Sequence, residues 1–129
     1  MSSLFIPLAA LLLGAAPADE CAEPRTQSEM NRCAARDFRR ADAELNRQWA
    51  ATMKKMRTDE SFSFTGDKRP SGDVKLREAQ RAWLAFRDAQ CTVEGYQARG
   101  GSMEPMLYDI CREELTRART EQLRKLITE

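Results

Sequence analysis

The stretch from Thr26 to Met56, TQSEMNRCAARDFRRADAELNRQWAATMKKM, decides the fold. Thr26 and Glu29 have the spacing of a capping box, in which Thr accepts from the N3 backbone N–H and Glu reaches back to the cap. Behind that start, apolar residues fall at Met30, Ala34, Phe38, Ala41, Leu45, Trp49, Met53 and Met56. Steps of three and four place them on one face of an α-helix about 30 residues long. Arg32, Arg36, Arg39, Arg40, Glu44, Arg47, Lys54 and Lys55 fill the other faces. Such a charge run reads as a solvated surface.

Two more helices follow from the same periodicity. Thr58 to Gly72 is a break, with Gly66, Pro70 and Gly72 among Ser, Thr and Asp residues. Phe62 and Phe64 lie inside it, as loop anchors or as partner contacts. Asp73 is a suitable N-cap for a second helix. Its expected stripe is Leu76, Ala79, Trp83, Phe86 and Gln90, widened by Leu84 and Cys91. Gly100-Gly101 stops it. Ser102 caps a third helix, with Glu104 and Pro105 in its first turn, where a missing N–H costs little. Its expected stripe is Met103, Leu107, Ile110, Leu115, Ala118, Gln122 and Leu126. The fold class expected is all-α: an antiparallel three-helix bundle built from one long first helix and a helical hairpin.

Ahead of the bundle, Leu4 to Ala16 is an apolar run shorter than the about 20 residues that span a bilayer. It ends in Ala16-Pro17-Ala18, a small-x-small pattern. We read residues 1–18 as a cleaved signal peptide and residues 19–129 as one helical domain. The three residues before Cys21, Ala18-Asp19-Glu20, do not form a lipobox. Beyond residue 18, the valines are Val74 and Val93 and the isoleucines Ile110 and Ile127. That scarcity disfavours sheet.

Composition narrows the function. The chain has 129 residues, 21 Lys+Arg and 20 Asp+Glu, for a net charge of +1. That balance lacks the positive excess of a nucleic-acid binder. It has no histidine, which removes Ser-His-Asp and Cys-His catalysis. No S-x-x-K stands in the sequence, and with so many carboxylates a glycosidase pair carries no signal. We expect no enzyme, no catalytic residues, no cofactor and no metal.

Four cysteines permit three disulfide pairings. An antiparallel hairpin sets residues equidistant from its turn side by side. Cys91 and Cys111 are centred on Gly101, which suits a crosslink and leaves Cys21 for Cys33. Zinc or a redox pair is the rival use, without the close C-x-x-C spacing.

Several motifs together are characteristic of a family. The first half holds Cys21, Gln27-x-Glu29-Met30-Asn31-x-Cys33-Ala34, and Asp42-x-Glu44-Leu45-Asn46 with Trp49. The second holds Leu76-x-x-Ala79-Gln80-Arg81-Ala82-Trp83-x-x-Phe86-Arg87-Asp88-x-x-Cys91. Gly100-Gly101-Ser102, Cys111 and Thr116-x-x-Arg119-Thr120-x-x-Leu123 complete the pattern. The chain resembles the domain named after the lysozyme inhibitor LprI, and the YecT-type secreted proteins, over residues 21 to 126. The resemblance implies a helical, disulfide-bearing protein of the bacterial envelope, periplasmic or secreted. It implies a protein partner, either a lysozyme or an endogenous envelope protein. Lacking a lipobox, the chain departs from the family's lipoprotein namesake.

The remaining polar residues divide in two. Asp42, Asn46, Arg87 and Arg119 lie near apolar stripes and read as a network between helices, since a partly buried Arg satisfies several acceptors. Trp49, Trp83 and Phe86 read as core. Against a basic lysozyme, Glu94, Glu104 and Asp109 around the Gly100-Gly101 turn would form an acidic cluster with Glu20 and Glu23, or Arg99 at the turn would plug its cleft. Phe62 and Phe64 are the surface for an envelope partner. After signal cleavage no membrane insertion is expected, and the bundle should be monomeric or weakly dimeric.

Overall fold

A computed structural model describes residues 19–128; the signal-peptide expectation for residues 1–18 lies outside them. Helix α1 runs Gln27–Thr58, α2 is a single turn at Glu60–Ser63, α3 runs Gly72–Gly95 and α4 runs Glu104–Thr128. Short 3-10 turns precede α1 at Glu20–Ala22 and follow α3 at Tyr96–Ala98. The fold is an all-α bundle carrying two disulfides, Cys21–Cys33 and Cys91–Cys111.

The start of α1 obeys its sequence. Glu29 N donates to Thr26 Oγ1 at 3.1 Å, and Thr26 N donates to Glu29 Oε2 at 3.3 Å. At the other end Asp59 turns extended and its carboxylate accepts from Ser61 N, which starts α2. The Lys55 ammonium, then the Ser61 donors, depress the Asp59 carboxyl to about 2. Helix α3 begins one residue before its expected cap. Ser71 stands at the N-cap, and its hydroxyl donates to Asp73 instead of accepting from a helix backbone N–H.

Long-range contacts give the topology. Asn31 donates to Ser102 O, and Thr52 Oγ1 donates to Leu123 O. Both links span 71 positions, so α1 and α4 run parallel in a constant register. Arg87 bonds Thr116 and Arg119 bonds Gln80, so α3 and α4 are antiparallel about the Gly100–Gly101 turn. Helix α4 is the central element, packed on α1 most extensively and on α3 next.

Along the bundle axis the packing changes in kind. The end holding α2 and the α4 C-terminus has an aliphatic core of Leu45, Met53, Met56, Leu76 and Leu123, with Trp49, Phe62, Trp83 and Ile127 against it. The end holding the α3–α4 turn has both disulfides. Small buried residues on the α1–α4 seam, Ala41, Thr52, Thr116 and Thr120, keep those helices close. Their hydroxyls are satisfied by carbonyls or neighbouring side chains.

Every member of the α1 stripe is buried or half-buried. The stripes of α3 and α4 are displaced. On α3 the buried residues are Leu76, Gln80, Arg87, Cys91 and Gly95, whereas Ala79, Leu84, Phe86 and Gln90 are exposed. On α4 they are Asp109, Cys111, Thr116, Thr120 and Leu123, with Ile110 and Leu126 at the surface and Met103, exposed, just ahead of the helix. Polar side chains with internal partners occupy these buried faces, so hydrophobic periodicity misses them.

The Cys91–Cys111 link closes a 20-residue separation at a buried site. Loop-closure entropy gives it about 3 kcal/mol. The Cys91→Ser/Cys111→Ser double variant should lose about that much in urea-unfolding stability while keeping its far-UV circular dichroism.

Candidate functional site

Between the aliphatic core and the disulfides, arginines alternate with aromatic rings. The Arg112 guanidinium sits 4.3 Å from the Tyr108 ring and 3.8 Å from the Phe38 ring. Arg87 lies 5.2 Å from Phe38 and 5.2 Å from Trp83. Arg119 continues the row at 5.9 Å from Trp83. Each contact lies within the range of a cation–π interaction. Phe38 comes from α1, Trp83 and Arg87 from α3, and Tyr108, Arg112 and Arg119 from α4.

Carboxylates compensate Arg87 and Arg112 in this row, whereas Arg119 has amide partners. Arg87 is 6% exposed, and it donates to Asp88 at 3.0 Å and Thr116 at 3.3 Å, with Asp42 at 3.8 Å. Arg112 pairs with Asp109. Arg119 donates to Gln80 and Gln122, while its Nη2 is buried without a partner. Burial lowers the pKa of Arg119, yet a guanidinium stays charged at any working pH. Of the four residues assigned to an inter-helix network, Asp42, Arg87 and Arg119 lie in or beside this row. Asn46 is exposed on a shallow groove with Asp42, Trp49 and Arg77, outside it.

The α3–α4 turn stands on this base. Gly100 has φ +81°, a conformation that favours glycine. Its N–H donates to Glu104 Oε2 at 2.6 Å, and Gly101 N donates to Ala98 O at 2.8 Å. Asn31 donates to Ser102 O at 2.8 Å, tying the turn to α1. A groove of about 370 Å³ opens beside it, lined by Thr92, Gly95, Gly101, Glu104, Pro105 and Tyr108. Arg99 is exposed at the apex, its guanidinium 4.2 Å from the Tyr96 ring.

The expected acidic cluster does not assemble. Asp109 is 7% exposed and held by Arg112, so it faces the interior rather than a partner. Glu104 braces Gly100. Glu20 is paired with Arg32, which lowers its pKa, and Glu23 lies 3.7 Å from Arg25. Glu94 is half-buried, near Gln90. Arg99 is therefore the turn charge most open to a partner.

At the opposite end, Phe62 packs on the aliphatic core, while Phe64 is 57% exposed. The Phe64 ring lies over Gly66, in the space a Cβ there would occupy. Both phenylalanines line a groove of about 400 Å³ with Asp67, Arg69, Pro70 and Lys75. Among the described residues, Glu20, Cys21 and Cys33 bring ligand-type groups together. Their two sulfurs are bonded to each other and offer no thiolate to a cation. No described helix is long and apolar enough to cross a membrane.

The profile of the family described as "Lysozyme inhibitor LprI" matches residues 18–123, from the first disulfide through the α3–α4 hairpin. The chain belongs to the LprI family. A Rhizobium meliloti (strain 1021) protein described as uncharacterized is 42% identical over 112 residues, covering 86% of this chain and 81% of its own length. No solved structure matches the chain. Within this LprI-family bundle, Gln80, Arg112, Thr116 and Tyr108 form part of the working interior that sequence reasoning missed. The signal that could have found them was their spacing from Arg87 and Arg119 across the hairpin turn.

The arginine row makes a graded prediction. Lysine lacks the planar fork that stacks on two rings and bonds Thr116. Arg87→Lys should cost about 1–2 kcal/mol in urea unfolding and change the near-UV signal of Trp83. Asp42→Asn, at a half-exposed pair, should cost less than about 1 kcal/mol.

Proposed function

We propose that this LprI-family protein is an exported, non-enzymatic inhibitor that binds lysozyme directly through the α3–α4 turn. The single observation that carries the reading is Arg99, exposed at the apex of a turn braced from below. Retaining lysozymes work with a pair of carboxylates across the sugar-binding cleft. A guanidinium entering that cleft bonds a carboxylate through its planar fork and blocks the sugar. The turn comes to the encounter already ordered, so little conformational entropy is lost on binding. Export rests on the signal-peptide reading of residues 1–18, and places the protein in the periplasm or outside the cell. There its disulfides persist.

The test is lysis of a peptidoglycan suspension by hen-type lysozyme, with and without oxidised residues 19–129, at low and moderate salt. Dose-dependent inhibition that weakens with salt is expected, and Arg99→Glu should raise the half-inhibitory concentration at least about tenfold. No inhibition at large molar excess would overturn lysozyme as the target. Inhibition untouched by Arg99→Glu would overturn the turn as the contact.

A second reading is an endogenous envelope partner at the α2 loop, favoured by the exposure of Phe64 beside its groove. Phe64→Ser tests it without damage to the core, since Phe62 alone carries the packing there. Loss of a co-purifying envelope protein with unchanged helicity supports this surface, and retained capture removes it.

A further inference from the structure

Beyond the exposed Lys75–Glu78 pair, a stripe on the side of α3 turned away from the bundle is apolar and runs on to Tyr96, just past the helix end. Ala79, Ala82, Phe86, Ala89, Val93 and Tyr96 are all exposed, with Phe86 at 54%, Val93 at 62% and Tyr96 at 45%. They recur in alternating steps of three and four, the a/d seam of a two-helix contact. The seam covers about five turns of helix. In a chain with 32% charged residues, no seam position is charged. The packing of α3 inside the protein does not account for this pattern, because its buried residues lie on a different face.

The order of side-chain sizes along the seam is self-complementary. Consider two copies of α3 placed antiparallel, with a two-fold axis between positions 87 and 88. Phe86 then faces Ala89 of the second copy, Val93 faces Ala82, and Tyr96 faces Ala79. Each large side chain meets a methyl group, and the two-fold repeats every contact. This is the requirement for an isologous interface. Close packing of large against small residues is also what fills a helix–helix seam without voids.

We infer that this α3 face is a homodimer interface, occupied by the same face of a second copy in that register. The seam measures about 27 Å by about 10 Å, or roughly 300 Å². That is well below the about 800 Å² per partner of a standard interface. The dimer is therefore weak and reversible. A net charge of +1 per chain adds little repulsion between copies. The antiparallel arrangement sends the two α3–α4 turns to opposite ends, where each Arg99 stacks on Tyr96, the last residue of the seam. Self-association and the inhibitory reading therefore meet only at Tyr96, and variants at positions 86 and 89, in the middle of the seam, test the first apart from the second.

Sedimentation equilibrium on oxidised residues 19–129, which hold all the described helices and both disulfides, tests the inference between about 10 µM and about 1 mM. The wild-type weight-average mass should rise toward two chains across that range. Phe86→Glu and Ala89→Lys should each stay monomeric at the top of the range with unchanged helicity, because both positions are exposed. An equimolar mixture of the two variants should associate again, because the carboxylate introduced at position 86 of one chain would face the ammonium introduced at position 89 of the other. A wild type that stays monomeric overturns the dimer, and a partner protein would then be the occupant. Association that survives Phe86→Glu overturns the face. Failure of the mixture to associate overturns the register.

Discussion

Tyr108, Arg112, Phe38, Arg87, Trp83 and Arg119 alternate ring and guanidinium through the middle of the bundle. The rest of the structure depends on this row because it joins all three long helices where few aliphatic side chains are present. Arg87 shows how a cation is kept there. Two rings flank it, a threonine accepts from it, and two carboxylates at the half-exposed margin balance its charge. An aliphatic core tolerates helix sliding better than a row in which each guanidinium must meet particular rings and acceptors. The register of α3 against α4 is thus set by directional contacts as well as by the covalent link between Cys91 and Cys111.

That register prepares the α3–α4 turn. Cys21–Cys33, Cys91–Cys111 and the Asn31–Ser102 bond all lie at the turn end, so its apex is anchored to both α1 and α3. The opposite end relies on the aliphatic core and a single-turn helix. The chain belongs to the LprI family, and the proposed function takes the anchored turn as the surface it presents. Under the proposed function, Arg99 would give that surface its chemistry.

Helix α1 was legible from sequence because it buries one stripe of apolar residues. The cysteine pairing was legible because residues equidistant from Gly101 meet in a hairpin. Faces of α3 and α4 were not. Gln80, Arg87, Thr116 and Thr120 are buried by finding partners on neighbouring helices or in the preceding turn, and a hydropathy count treats them as surface. The apolar stripe read from α3 included Ala79 and Phe86, which point to solvent in the single chain. Asp109 was misplaced for the same reason: a carboxylate two positions from a buried cysteine looks exposed until Arg112 is set against it. Arg99 was legible as a turn residue, whereas its stacking on Tyr96 required three dimensions.

The most direct test of the central claim is a nuclear magnetic resonance titration of ¹⁵N-labelled, oxidised residues 19–129 with hen-type lysozyme. Amide shifts and broadening should concentrate at residues 96–104, led by Arg99, Gly100 and Gly101, with little change at residues 60–70. Perturbation centred on the Phe64 loop, or none at saturating lysozyme, would contradict inhibition through the turn.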